Sequence, residues 1–242
     1  MKLTHKTILI TGGTSGIGLE LVRALATDNQ IIIVSYKGAL PVDLAGSANI
    51  QLYHADLASR EALEAVVDRI QKGISVLDVL INNAAWQQTA EFTSDEFNYD
   101  GIQNEINLNF TAVCHLTYLF LPLLMNATHG IVVNMNSGLA ITPKKESAVY
   151  CATKAAMDSL SRSLQYQLAQ TPVTIQQVFL PLVETAMTQG RGSGKLAADD
   201  VAGRIVRGIE QGRAVNDIGK VKLLRILHAL VPGLARAIMK NG

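Results

Sequence analysis

Short runs of β-branched and aliphatic residues alternate along the chain with longer stretches whose apolar positions return every three to four residues. The short runs fall at 7–11, 31–35, 50–53, 76–82, 130–135 and 174–179 and predict strands. Amphipathic stretches at 16–28, 60–72, 104–125, 149–169 and 199–211 predict the helices between them. The strand runs read as near-continuous Ile and Val, so both of their faces must be covered. The pattern therefore predicts an α/β fold: a doubly wound, mostly parallel sheet of about seven strands with helices on both faces. Ligands of such sheets bind at the carboxyl ends of the strands. No repeat, linker or low-complexity tract interrupts the alternation, and residues 1–242 are expected to form one domain.

The first strand runs into Thr11-Gly12-Gly13-Thr14-Ser15-Gly16-Ile17-Gly18, and an amphipathic helix follows at once. Glycines here let the backbone turn sharply and approach a pyrophosphate that a Cβ would exclude. The helix N-terminus beyond them offers amide donors and a positive dipole end. A glycine-rich loop alone is often only a turn. Between a first strand and a helix it points to a Rossmann-like dinucleotide site formed by Gly12, Thr14, Ser15, Gly16, Ile17 and Gly18.

The spacing of Gly12, Gly16 and Gly18 resembles that of the short-chain dehydrogenases/reductases, a family of this domain size. Three more matches follow in order. His54-Ala55-Asp56-Leu57 lies where the family has an Asp on the adenine side of its cofactor. Asn82-Asn83-Ala84-Ala85 is similar to the family's NNAG turn, with Ala for Gly, and implies cofactor contacts at Asn83 and Ala84. Tyr150-Cys151-Ala152-Thr153-Lys154 matches YxxxK. Ser137-Gly138-Leu139-Ala140 and the segment 181–185 also resemble a bacterial subgroup labelled after the D-alanylation operon of teichoic acids. That label reports gene neighbourhood and implies little about substrate.

Tyr150 and Lys154 stand four apart, on one helix face. A phenol with its ordinary pKa of about 10 is a poor acid/base near neutrality. A neighbouring ammonium, together with an oxidised nicotinamide, is expected to lower that value. Tyr150 is thus the expected proton donor or acceptor. By resemblance, Lys154 holds the nicotinamide ribose and Ser137, thirteen residues before Tyr150, orients the substrate carbonyl. The family's fourth catalytic residue is an asparagine for which Asn104, Asn107 and Asn109 compete. Matching Ile106-Asn107-Leu108 to the family's Asn-Leu pattern selects Asn107, with Asn109 as the alternative.

The second strand ends Val34-Ser35-Tyr36-Lys37, with no acid to repel a 2′-phosphate. Ser35 and Lys37 favour NADP, with NAD as the alternative. Between residues 38 and 48, Pro41 and two glycines leave room for about one turn where the family has a full helix. After the sixth strand, Pro181, Val183 and Thr185 fall where the family contacts the nicotinamide. Residues 189–198 begin glycine-rich and are expected to act as a substrate lid. Trp86, Leu139, Val149, Leu182 and Met187 are the expected pocket walls, suited to an apolar carbonyl or alcohol.

Twenty-one Lys and Arg against twenty Asp and Glu leave a net charge of +1, which argues against a nucleic-acid partner. Cys114 and Cys151 have no metal-ligand spacing and read as buried thiols, so no metal is expected. No targeting segment or membrane span is recognised, and the expected compartment is the cytoplasm. The last tenth of the chain departs from the average. From residue 218 it has Lys220, Lys222, Arg225, Arg236 and Lys240 and no acid. The segment 219–242 is expected to pack on its own domain or a partner subunit, a membrane surface being the less favoured alternative. The family resemblance implies a homodimer or homotetramer through the helices at 104–125 and 149–169. The leading function is an NADP-dependent oxidoreductase acting on a carbonyl/alcohol pair; a dinucleotide sensor and a membrane-surface scaffold are its rivals.

Overall fold

The computed structural model describes residues 2–240, so Met1 and the last two residues of the basic tail lie outside it. Seven parallel strands form one sheet in the order β3-β2-β1-β4-β5-β6-β7. They are β1 (Thr7–Thr11), β2 (Gln30–Ser35), β3 (Ile50–His54), β4 (Val79–Asn82), β5 (Gly130–Ser137), β6 (Val173–Leu180) and β7 (Val215–Asp217). Ile8, Leu9 and Ile10 of the central strand are wholly buried on alternating faces, which is why β1 has no polar side.

Helices α1 (Gly16–Leu25) and α6 (Ala198–Glu210) cover one face over Ile8, Ile10, Ile33 and Val133. Helices α2 (Arg60–Gln71), α4 (Ala112–Met125) and α5 (Ala148–Gln167) cover the other over Leu9, Leu80 and Val132. Between β1 and β4 the strand order reverses, opening a crevice at their carboxyl ends. The glycine turn follows β1 and the Asn-Asn-Ala-Ala turn follows β4, so the topology brings both to that crevice.

The stretch predicted as one helix over 104–125 begins earlier and is not uniform. α3 (Tyr99–Ile106) is started by Asn98, whose side chain accepts from Asp100 N at 3.0 Å. A π-helical turn, Asn107–Thr111, then widens the helix before α4. The run Tyr99–Met125 has the length and apolarity of a membrane span. In the fold, Leu116, Phe120 and Leu124 spend that apolarity on the sheet. Val76–Leu77 does not belong to β4; Leu77 N bonds Leu123 O in the approach to the strand. Residues 38–48 contain no helix, only turns anchored by Leu44 N and Ala45 N on Pro41 O.

Two short helices end the described chain, α7 (Val221–Leu230) and α8 (Pro232–Lys240). Arg225 fixes α7 to β7 by a two-pronged bond to Asp217 at 2.7 and 2.8 Å, its guanidinium lying over the Phe179 ring.

Candidate active site

A cleft of about 670 Å³ lies at the crevice. Its lining includes Gly12, Thr14, Ser15, Gly16, Ile17 and Gly18 of the first turn, Ser35 to Lys37 after β2, Asp56 and Leu57 after β3, and Asn83 to Trp86 after β4. Tyr150, Lys154, Thr185 and Met187 complete it. The glycine turn is drawn so tight that a Cβ on Gly18 would stand 2.2 Å from the Gly12 carbonyl oxygen. Gly12 takes φ +69°, which disfavours any side chain there. Thr11 and Asn83 lock the turn to the end of β4. The amides of Asn83 and Ala84 each donate to Thr11 Oγ1 at 2.9 Å, and Asn83 Nδ2 donates back to Thr11 O at 2.8 Å. Asn83 therefore shapes the turn as much as it lines the cleft.

At the β2 end, Ser35 is buried and its hydroxyl is engaged with Thr14 Oγ1 at 3.0 Å. Lys37 and Tyr36 are exposed and line the cleft. Ser35 thus positions Thr14, while Lys37 is a cation with no carboxylate partner among the described residues. Asp56 Oδ1 accepts from Ala58 N at 2.9 Å, capping the turn that carries Leu57. Beyond β6, Thr185 lines the cleft with its methyl group close to Gly16, while Val183 is buried behind it. Ser137, Pro181, Val183, Leu182, Leu139 and Val149 are absent from the lining; Trp86 and Met187 are present. Leu182 packs instead toward Gly192 of the glycine-rich segment after β6.

Helix α5 brings Tyr150 and Lys154 together. Lys154 is buried, its Nζ donating to Met135 O at 2.8 Å and lying 5.5 Å from the Tyr150 ring centre. Burial pushes its pKa down to about 7. Tyr150 is half-buried, and Ser137, at the end of β5, has its Oγ accepting from Leu139 N at 3.1 Å. The expectation that Lys154 draws the phenol toward neutrality is not met by the protein's own groups. Burial, then Cys151 and Glu105, hold Tyr150 above its ordinary pKa, with Ser137 and Arg191 opposing them. The buried side chains of Asn134 and Ser161, bonded at 2.9 Å, tie α5 to β5 beneath the site.

The two competing asparagines are placed differently. Asn107 Oδ1 accepts from Gln103 on the outer side of the helix at 2.6 Å. Asn109 is the buried one: its amide accepts from Trp86 N at 2.9 Å and donates to Trp86 O at 2.8 Å and Thr153 Oγ1 at 3.4 Å. The π-helical turn rotates the positions after Ile106, so helical spacing in the sequence could not separate the two.

Two further features escaped the sequence reading. Glu105, four residues before Asn109, is fully buried; Oε1 accepts from Gln88 N at 3.1 Å and Oε2 has no partner among the described residues. Burial raises its pKa to about 7. Together Glu105 and Asn109 pin the backbone of residues 86–88. The second feature is Arg191, on the glycine-rich segment, which donates to Gln87 Oε1 at 2.9 Å. Gln87 Nε2 in turn donates to Ser147 Oγ at 3.0 Å, just ahead of α5. Only the Asn/Glu spacing of four was available to signal the first of these, and nothing local signalled the second.

A parallel sheet with a glycine cradle at its reversal point, and a Tyr/Lys pair at the cradle's end, defines a dinucleotide-dependent oxidoreductase. Residues 6–195 match the family model for short chain dehydrogenases, and the chain belongs to that family, whose enzymes act on CH–OH and C=O groups with a nicotinamide cofactor. It is 40% identical over 193 residues to the uncharacterized oxidoreductase DltE of Bacillus subtilis (strain 168), covering 78% of this chain and 76% of that one. A Burkholderia cenocepacia J2315 short chain dehydrogenase in complex with NADP superposes with TM-score 0.88 at 19% identity, covering 99% of both chains. A Burkholderia phymatum short chain dehydrogenase/reductase in complex with NAD superposes with TM-score 0.85 at 21% identity, covering 98% of this chain and 97% of that one.

Proposed function

We propose that the protein interconverts a carbonyl and an alcohol, with Tyr150 as the general acid/base. The observation that carries this reading is the pairing of Tyr150 and Lys154 in the cleft, beside a glycine cradle that side chains would fill. Gly12, Thr14, Ser15, Gly16, Ile17 and Gly18 would hold the pyrophosphate, Asp56 and Leu57 the adenine, and Asn83, Ala84, Lys154 and Thr185 the nicotinamide half. When bound, the reduced cofactor supplies the hydride that reaches the carbonyl carbon.

Ser137 orients the carbonyl oxygen by donating a hydrogen bond, and Tyr150 delivers its phenolic proton to that oxygen. Because the protein's own groups keep the phenol protonated, Tyr150 is set as the acid for reduction; oxidation needs added positive charge to release that proton. Lys154, near its midpoint at neutral pH, exchanges protons behind it. Asn109 keeps Trp86 in place as one wall. Lys37 and the missing acid after β2 favour NADP over NAD, and the exposed outer sides of α4 and α5 favour a homo-oligomer.

Fluorescence titration with NADPH and NADH, then a panel of carbonyl substrates, tests the reading. Tyr150→Phe is expected to lower kcat by about 10²–10⁴-fold while dinucleotide binding persists. Unchanged turnover in that variant overturns the role of Tyr150. Binding of neither dinucleotide overturns the whole reading.

A further inference from the structure

The C-terminal helix pair has two faces of different character. Inward, Leu224 and Val221 close over Gly138, where an added methyl would stand 3.3 Å from Leu224. His228 Nδ1 bonds Thr142 Oγ1 at 2.9 Å. Gly219, just ahead of α7, is packed against Leu196, beyond the lid glycines. These contacts fix α7 against the turn that follows Ser137 and against the lid segment. Outward, Leu223 is 65% exposed and Leu230 76%, with Ile226 between them on the same side of α7. Val231 between the two helices, then Leu234 and Ile238 on α8, extend the exposed apolar surface. Six large aliphatic side chains in sixteen residues exceed the scattered surface leucines that need no explanation.

The charges around this surface say what it fits. Lys220, Lys222, Arg236 and Lys240 are exposed, and none has a carboxylate partner among the described residues. No acid occurs from residue 218 onward. A second copy laid on the same face would bring cations against cations. A bilayer bearing anionic headgroups satisfies both parts, taking the aliphatic side chains below the headgroups and the cations among them.

We propose that α7 and α8 dock the protein on an anionic lipid membrane. Since α7 stands on the turn after Ser137 and beside the lid, docking sets the substrate end of the cleft next to the bilayer, from which an alkyl-chain carbonyl substrate reaches it. The second half rests on the redox reading; the docking does not.

Co-sedimentation of the full-length protein with vesicles tests the docking without turnover. The protein is expected to pellet with vesicles of equal parts phosphatidylcholine and phosphatidylglycerol, to bind phosphatidylcholine alone more weakly, and to be released by salt. Lys222→Gln with Lys240→Gln is expected to weaken binding about fivefold for each cation removed. Leu223→Asn with Leu230→Asn is expected to weaken it by at least about tenfold while NADPH binding and melting temperature hold, because both side chains are exposed. Protein that stays in the supernatant with either vesicle, or binding indifferent to both variant pairs, overturns the docking. So does an oligomer dissolved by the leucine variants in a protein that ignores vesicles, since a second copy then covers the face. For substrate delivery, the leucine variants are expected to raise the apparent KM for vesicle-borne dodecanal and leave that for benzaldehyde unchanged. An equal change for both aldehydes overturns the delivery and leaves the docking standing.

Discussion

Two buried ionisable side chains shape how this protein responds to pH. Glu105 has its pKa raised from 4.5 to about 7, so between those values the folded chain keeps a proton that the unfolded chain has released. Stability from this group is present below the unfolded value and is lost as pH climbs to about 7. Lys154 has its pKa lowered from 10.5 to about 7, so between 7 and 10.5 the unfolded chain holds the extra proton. Stability from this group is regained as pH climbs from about 7. The opposed limbs predict a stability minimum near pH 7 for protein without added dinucleotide, each limb worth on the order of 3 kcal/mol or more. Urea midpoints across this range check it. Glu105→Gln should remove the acid-side limb and raise the midpoint at pH 8, because the amide still accepts from Gln88 N. A maximum near pH 7, or a lower midpoint for Glu105→Gln at pH 8, refutes the account. Arg191 makes a separate prediction. Its guanidinium is held by the neutral amide of Gln87 and acts electrostatically on Tyr150. Arg191→Gln should therefore shift the alkaline limb of the pH–rate profile upward, whereas a role confined to holding the lid would change KM alone.

The π-helical turn sets the two candidate asparagines apart, with Asn109 buried against Trp86 and Asn107 bonded outward to Gln103. Asn109→Ala frees three hydrogen bonds of a buried side chain, two of them to the Trp86 backbone. A loss of about 2 kcal/mol or more in stability and a fall in kcat are expected. Asn107→Ala loses one exposed bond to Gln103 and should stay within about 0.5 kcal/mol of the parent. Equal effects of the two substitutions refute the register. This is also where sequence reading stops. The strands of Ile and Val and the glycine turn are legible because hydrophobic burial and backbone sterics act locally. Tyr150 and Lys154 are legible because a regular helix fixes what four residues apart means. The π-helical turn breaks that rule, since one extra residue per turn rotates every later side chain, and no residue type in Asn107–Thr111 announces it. β7 was missed for another reason: three residues at a sheet edge carry too little pattern. The bond from Arg191 to Gln87 spans 104 positions and exists only in the fold.

The outer sides of α4 and α5 carry large exposed rings. Tyr118 is 76% exposed and Tyr166 79%, two large rings standing out from helices that cover the same face of the sheet. Met125 is also partly uncovered at the end of α4. Aromatic anchors of this kind carry a large share of the energy where subunits meet. Sedimentation equilibrium should therefore show a dimer, and Tyr118→Asp with Tyr166→Asp should yield monomers by placing like charges in the joint. Such monomers keep the cleft and should still bind dinucleotide, because no residue lining it belongs to the joint. The same measurement separates this face from the C-terminal one. Leu223→Asn with Leu230→Asn leaves a dimer formed through α4 and α5 intact, whereas a dimer lost in those variants and retained in the tyrosine variants would move the joint to α7 and α8. A parent protein that sediments as a monomer would leave the exposed rings of α4 and α5 without this partner.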